Sequence, residues 1–292
     1  MKLATILAIT SALLLAGFLL LRPVFSGIGR PTTPDTSGRA DTPVPDGITA
    51  GPVDDATSPK SEPAAPDTTG IEHADEIEKL ILELVNENRR KTGAGLKDLT
   101  WDETLRQIAR AHSDDMLARR FFDHVNPDGL SAADRIALGH RQLVGQIGEN
   151  IFRQSDYSAS DARKTAELIV RELMASPGHR ENILRPEFTH LGVGVSMRGG
   201  QVRTTQNFAL VRALVDQPIP REVKSGEVLR LVTTPSAEKY DFWMPSSGIS
   251  AGNSFDIGDG TVRVQPGVYK VRFYFPTASG YSTYMGPQVE VK

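Results

Sequence analysis

The apolar positions of this chain change period along its length, and the change marks a different kind of element. In "IEHADEIEKLILELVNENRRKTGAG" the residues Ile77, Leu80, Ile81, Leu84 and Val85 recur at helical spacing, with acidic residues at the start and Gly93 at the end. "LTWDETLRQIARAHSDDMLARR" predicts a second helix, with Thr100 and Glu103 spaced as a capping box and a stripe of Leu105, Ile108, Ala109, His112 and Met116. His112 thus faces the core as a hydrogen-bonded structural histidine. A short helix is predicted from Ser131, and another through "SDARKTAELIVRELMAS", with Ala166, Ile169, Val170, Leu173 and Met174 on one face. The period then falls to two in "HLGVGVSM" and "QVRTTQNFALV", joined by Gly199 and Gly200. Helices around an antiparallel sheet predict an α+β fold.

After "VDQPIPREVKSG" the pattern is wholly β. "EVLRLVTT", "YDFWM", "TVRVQ", "GVYKVRFYFP" and "PQVEVK" are short alternating runs between turn-rich clusters. Tyr269, Val271, Phe273 and Phe275 share one face of a strand, with Lys270, Arg272 and Tyr274 on the other. This predicts a small Ig-like sandwich over 215–292, separable near Gln217 to Gly226. Tyr240, Trp243, Tyr281 and Tyr284 offer either a carbohydrate-stacking surface or, the reading preferred here, core and turn packing.

The ends of the pattern exclude as much as they suggest. An uncharged apolar run, Leu3 to Leu21, predicts a signal peptide or N-terminal membrane anchor over 1–22. Residues 23–70 are rich in Pro, Thr, Asp, Ser and Gly and are expected to form an extended tether. The protein is therefore expected to work outside the cytoplasm, secreted or membrane-anchored through that N-terminal segment. The absence of cysteine rules out disulfides, thiolate metal sites, cysteine nucleophiles and a lipid attached to cysteine. A net charge of −3 gives no electrostatic case for nucleic acid. "GISAG", Gly248 to Gly252, matches the spacing of a hydrolase nucleophile elbow, but its flanks are turn-like on both sides. Ser250 is read as a turn residue.

Five segments appear in one order: "LTWDETLRQIARAHSDDM", "FFDHVNPDG", "GEN", "SPGHRENILRPEFTHLGVGV" and "TQNFA". Together, over about Ile77 to Val211, they resemble the CAP superfamily (cysteine-rich secretory, antigen 5 and pathogenesis-related 1 proteins, with the SCP domain), nearest its cysteine-free bacterial branch. The resemblance implies an α-β-α sandwich over 71–214 and a central cavity lined by two His and two Glu. On this chain those positions fall on His124, Glu149 and His179, with Ser176 where the second Glu would stand. His190, at the entry to a strand, is read as a packing or capping residue.

Two neutral imidazoles beside a carboxylate are an ordinary first-row metal set. The resemblance thus implies His124 and His179 as metal ligands, with zinc as the cofactor. The other reading is a buried polar network without metal. Three functions follow: a binding module for a metal or small ligand, a metal-dependent hydrolase of peptide or cell-wall material, and a lipid or sterol carrier. The expected partners are a small ligand, a lipid or a cell-envelope component, with the membrane met through the N-terminal segment.

Overall fold

The computed structural model describes residues 69–155, 157, 158, 161–244, 249, 250, 255, 256 and 265–292. The apolar N-terminal run and almost all of the tether lie outside these residues. No helix of the described residues is long and apolar enough to cross a membrane.

The order is α1 (Thr69–Lys91), β1 (Thr100–Trp101), α2 (Glu103–Ala118), α3 (Ala132–Gly139), β2 (Leu143–Gln154), α4 (Ala162–Ala175), α5 (Pro177–Leu184), β3 (His190–Arg198) and β4 (Gln201–Val215). Then come β5 (Glu222–Val223), β6 (Thr233–Thr234), β7 (Lys239–Met244), β8 (Ile249–Ser250), β9 (Phe255–Asp256), β10 (Gly267–Thr277) and β11 (Gly280–Val291). The fold is α+β, with an all-β C-terminal region.

Strands β3, β4 and β2 form the middle layer, antiparallel throughout. Side chains on β3 alternate, so Leu191, Val193 and Val195 join Ile77, Ile81 and Val85 of α1 and Ala166, Ile169 and Val170 of α4 in one core. The opposite face of β3 presents Gly192 and Gly194 to α2. A Cβ at either position would fall well inside van der Waals contact of the helix backbone, at Arg106 N and Arg110 N. The bare strand lets α2 lie directly on the sheet.

Several local expectations hold and several are corrected. Ser131 caps α3 in a capping box with Asp134. The cap of α2 is Asp102, whose side chain accepts from Leu105 N–H at 2.8 Å, and not Thr100. Thr100 is held in β1, which pairs in parallel with β3, so the helix starts later. In "SPGH", Pro177 opens α5, and His179 lies inside that helix. "EVLRLVTT" is mostly irregular, with only Thr233 and Thr234 in a strand and Val228 and Val232 exposed. Of "TVRVQ", residues 261–264 lie outside the described residues.

In the C-terminal region, Tyr269, Val271, Phe273 and Phe275 are all buried, as the alternation predicts. Their core also takes in Val144 of β2 and Ala213 and Val215 of β4. Strand β11 pairs with β2 at Met285 and Gly145, so the C-terminal strands extend the same sheet. Lys270 donates to Asp134 of α3 at 2.8 Å. All described residues belong to one compact unit. Tyr240 is buried, whereas Tyr281 is exposed and edge-on to Tyr274. Ser250 sits in the two-residue β8, opposite Trp243, while Gly248, Ala251 and Gly252 lie outside the described residues.

Candidate functional site

Glu149 lies mid-way along β2, and its side chain is only 3% exposed. Its Oε1 accepts from His124 Nδ1 at 2.8 Å, and its Oε2 accepts from Arg135 Nη2 at 2.6 Å. His124 comes from the loop between α2 and α3, with half its side chain open to solvent. Arg135, on α3, also donates through Nη1 to the carbonyls of His124 and Leu130, at 2.9 and 2.7 Å. One guanidinium therefore clamps the loop to the strand that carries the carboxylate. Nothing in the sequence pattern singles out Arg135, because it follows a capping box on a helix too short to show a face.

His112 is buried, and its Nε2 lies 3.1 Å from the carbonyl of Asp123, the residue before His124. Its ring packs against Phe121 at 5.7 Å. Burial, and then the charge of Arg135, push its pKa down, so it stays neutral. It steadies the loop beneath His124, as its place in the helix stripe predicts.

His179 reaches the site from α5, which two asparagines strap to β2. Asn150 Nδ2 donates to the His179 carbonyl at 3.0 Å and to Gln206 Oε1 at 3.1 Å. Asn182 Nδ2 donates to Asn150 Oδ1 at 2.9 Å and to the Glu149 carbonyl at 3.2 Å. The asparagines of "GEN" and "HREN" thus bind the two motif segments together, a role not read from the sequence. Ser176 stands at the junction of α4 and α5, half-buried, and makes no side-chain cap hydrogen bond. Glu172 is exposed and paired with Arg171 at 3.1 Å. His190 pairs through Nδ1 with the Thr189 hydroxyl at 2.8 Å.

The two histidines are set apart electrically. The hydrogen bond to Glu149 pushes the pKa of His124 up. Burial, and then the charge of His124, push His179 down. In a metal-free NMR titration His124 is expected to lose its proton above the ordinary histidine value of about 6.5, and His179 below it. Because the folded-state pKa of His124 is raised, its pair with Glu149 adds stability that is complete below the unfolded-state value. That stability is lost as pH rises through the folded value. Glu149→Gln should bring the His124 titration back toward the ordinary range; an unmoved His124 would contradict this pairing.

Among the described residues no group of three or more His, Asp or Glu side chains is arranged to hold a metal ion. Both oxygens of Glu149 are engaged, which leaves the His124 Nε2 and the His179 ring as donors. The carboxylate therefore orients His124 and offers no free oxygen of its own.

Comparison with known proteins places a stretch of this chain among related sequences. Residues 82–208 match the family model of the CAP domain, the cysteine-rich secretory protein family. Over those residues the chain is similar to CAP domains, and its sequence contains no cysteine. It is 42% identical over 130 residues to YkwD of Bacillus subtilis (strain 168), across 44% of this chain and 46% of that protein. It is 38% identical over 131 residues to the membrane protein YlbC of the same organism, across 45% of this chain and 34% of YlbC. A solved extracellular protein with an SCP domain from Bacillus anthracis str. Ames shares 32% identity, covering 51% of this chain and 45% of that one, with a TM-score of 0.41. Each match spans less than half the length of the relative.

Proposed function

We propose that this CAP-like protein acts outside the cytoplasm, released or held by its N-terminal apolar segment, and binds a ligand through a metal ion at His124 and His179. Zinc is the ion the donor set suits best. The observation that carries the reading is the contact between His124 Nδ1 and Glu149, which fixes the tautomer and leaves Nε2 to bind. A ligating histidine normally gives its second ring N–H to a carboxylate in this way. Export is supported by the apolar run from Leu3 to Leu21 and by the kinship with a membrane protein.

Zinc titration of the purified protein by calorimetry near neutral pH tests the site. His124→Ala and His179→Ala should each remove most binding, because a single imidazole remains. Glu149→Gln should weaken binding by about 10–100-fold, as for other groups that orient a metal ligand. His112→Ala and His190→Ala should leave the affinity unchanged once folding is checked. Zinc uptake that is absent in the native protein, or that survives loss of both His124 and His179, would overturn the proposal and leave a structural polar network.

A further inference from the structure

Strand β2 runs on past Glu149 to Arg153, which lies directly opposite Arg203 of β4. Residues directly opposite on an antiparallel pair share a face, and like charges placed so repel. Arg198 at the end of β3 and Arg120 beyond α2 converge on the same place, around a half-open pocket of about 520 Å³. Phe122 forms part of its wall, beneath the Arg153 guanidinium at 4.9 Å. Four of the buried or half-buried arginines among the described residues face carboxylates: Arg106 and Arg110 meet Glu78, Arg135 meets Glu149, and Arg272 meets Asp241. The four in this pocket have no carboxylate partner among the described residues.

Arg203 is the most telling of the four, because it is only 8% exposed. It donates to its neighbours, the Val202 carbonyl at 2.9 Å and Gln201 Oε1 at 3.0 Å, while its buried Nε has no hydrogen-bond partner. Burial, and then the charge of Arg153, work against its ionised form. Arg120 adds a second cost. It has a φ of 57° just past α2, where Phe121 N–H reaches back to the Met116 carbonyl at 3.2 Å. That closing position favours glycine, and an L-residue there is strained.

We infer that this pocket binds a small phosphate-type oxyanion, a phosphate monoester or diester. Guanidinium forks match the oxygens of such a group, and a bound anion would turn the repulsion between Arg153 and Arg203 into shared attraction. The phosphate can belong to a soluble compound or to a phospholipid headgroup at the membrane surface.

Melting of the full chain in sodium phosphate, against sodium chloride at equal ionic strength, provides the test. The native protein should show a larger rise in Tm with phosphate than its variants. Arg153→Gln and Arg198→Gln, both at exposed positions, should each weaken apparent phosphate affinity by about tenfold or more. In chloride, Arg153→Gln should be at least as stable as the native protein, because a like-charge pair is gone. The double variant of His124 and His179 should keep the phosphate response, which separates this site from the metal reading. A second arm compares sedimentation with phosphatidylcholine vesicles, with and without phosphatidylglycerol. A phosphate response that depends on the arginines supports a soluble ligand, and vesicle binding that depends on them supports a headgroup. Equal phosphate responses in the native and variant proteins, with no arginine-dependent vesicle binding, overturn the inference.

Discussion

Gly194→Ala is expected to cost about 3 kcal/mol or more, enough to leave much of the domain unfolded at moderate temperature. Position 194 lies on the face of β3 covered by α2, and the added methyl would meet the backbone of Ala109 and Arg110. Backbone inside a helix cannot swing aside as a long side chain can, so the whole of α2 must lift. Overpacking a well-filled core costs about 1–3 kcal/mol, and more where backbone must shift. Against a total stability of about 5–15 kcal/mol that is a large fraction. The damage should spread to the site, because α2 carries His112, which steadies the loop beneath His124. Urea unfolding followed by circular dichroism measures the effect, with Gly178→Ala as the control, since a Cβ there meets nothing within 4 Å. A native-like midpoint for Gly194→Ala would mean that α2 does not rest on the bare strand.

Replacing Arg89 with Met should be almost as damaging, for an opposite reason. Arg89 is wholly buried at the end of α1. Its Nε donates to the Lys97 carbonyl at 2.8 Å, and its Nη1 donates to the carbonyls of Ile183 and Arg185 at 2.7 and 2.9 Å. Met fills much of the same volume but leaves three carbonyls without this donor. At about 1–3 kcal/mol for each buried group left unsatisfied, the loss should reach about 3 kcal/mol or more. Arg89→Lys should recover only part of it, because an ammonium lacks the planar fork that reaches several acceptors at once. Ile183 and Arg185 lie at the end of α5, the helix that bears His179. The variant should therefore also shift the His179 NMR resonance while leaving His124 little changed. An undisturbed His179 in a destabilised protein would confine Arg89 to a purely structural role.

The sequence by itself determined the helix stripes of α1, α2 and α4, the β3–β4 hairpin and the buried face of β10. Each is a repeat in the chain, and repeats are set by which residues must leave water. It also carried the CAP-like motifs that bring His124 and Glu149 into contact and set His179 near enough for their charges to couple. The capping box of α3 was legible for the same local reason, since cap and partner lie three residues apart. Strand β2 was not, because "LVGQIGENIFRQ" mixes glycine and polar residues without alternation and becomes a strand only between two neighbours. Nor was α5, whose eight residues show no apolar stripe.

Only the tertiary structure decided the rest. In the pattern Arg89 is one of three basic residues in the last turn of a helix; in the fold it is a buried hub. Arg135 looks like a surface residue of a short helix until the loop of His124 folds over it. Arg153 and Arg203 stand fifty residues apart in the sequence and face each other solely because β2 and β4 pair in one register. Gly192 and Gly194 read as ordinary members of an alternating strand, and their lack of side chains matters only once α2 is laid across them. In each case the deciding partner is distant along the chain, and no periodicity records which distant groups will meet in a given register.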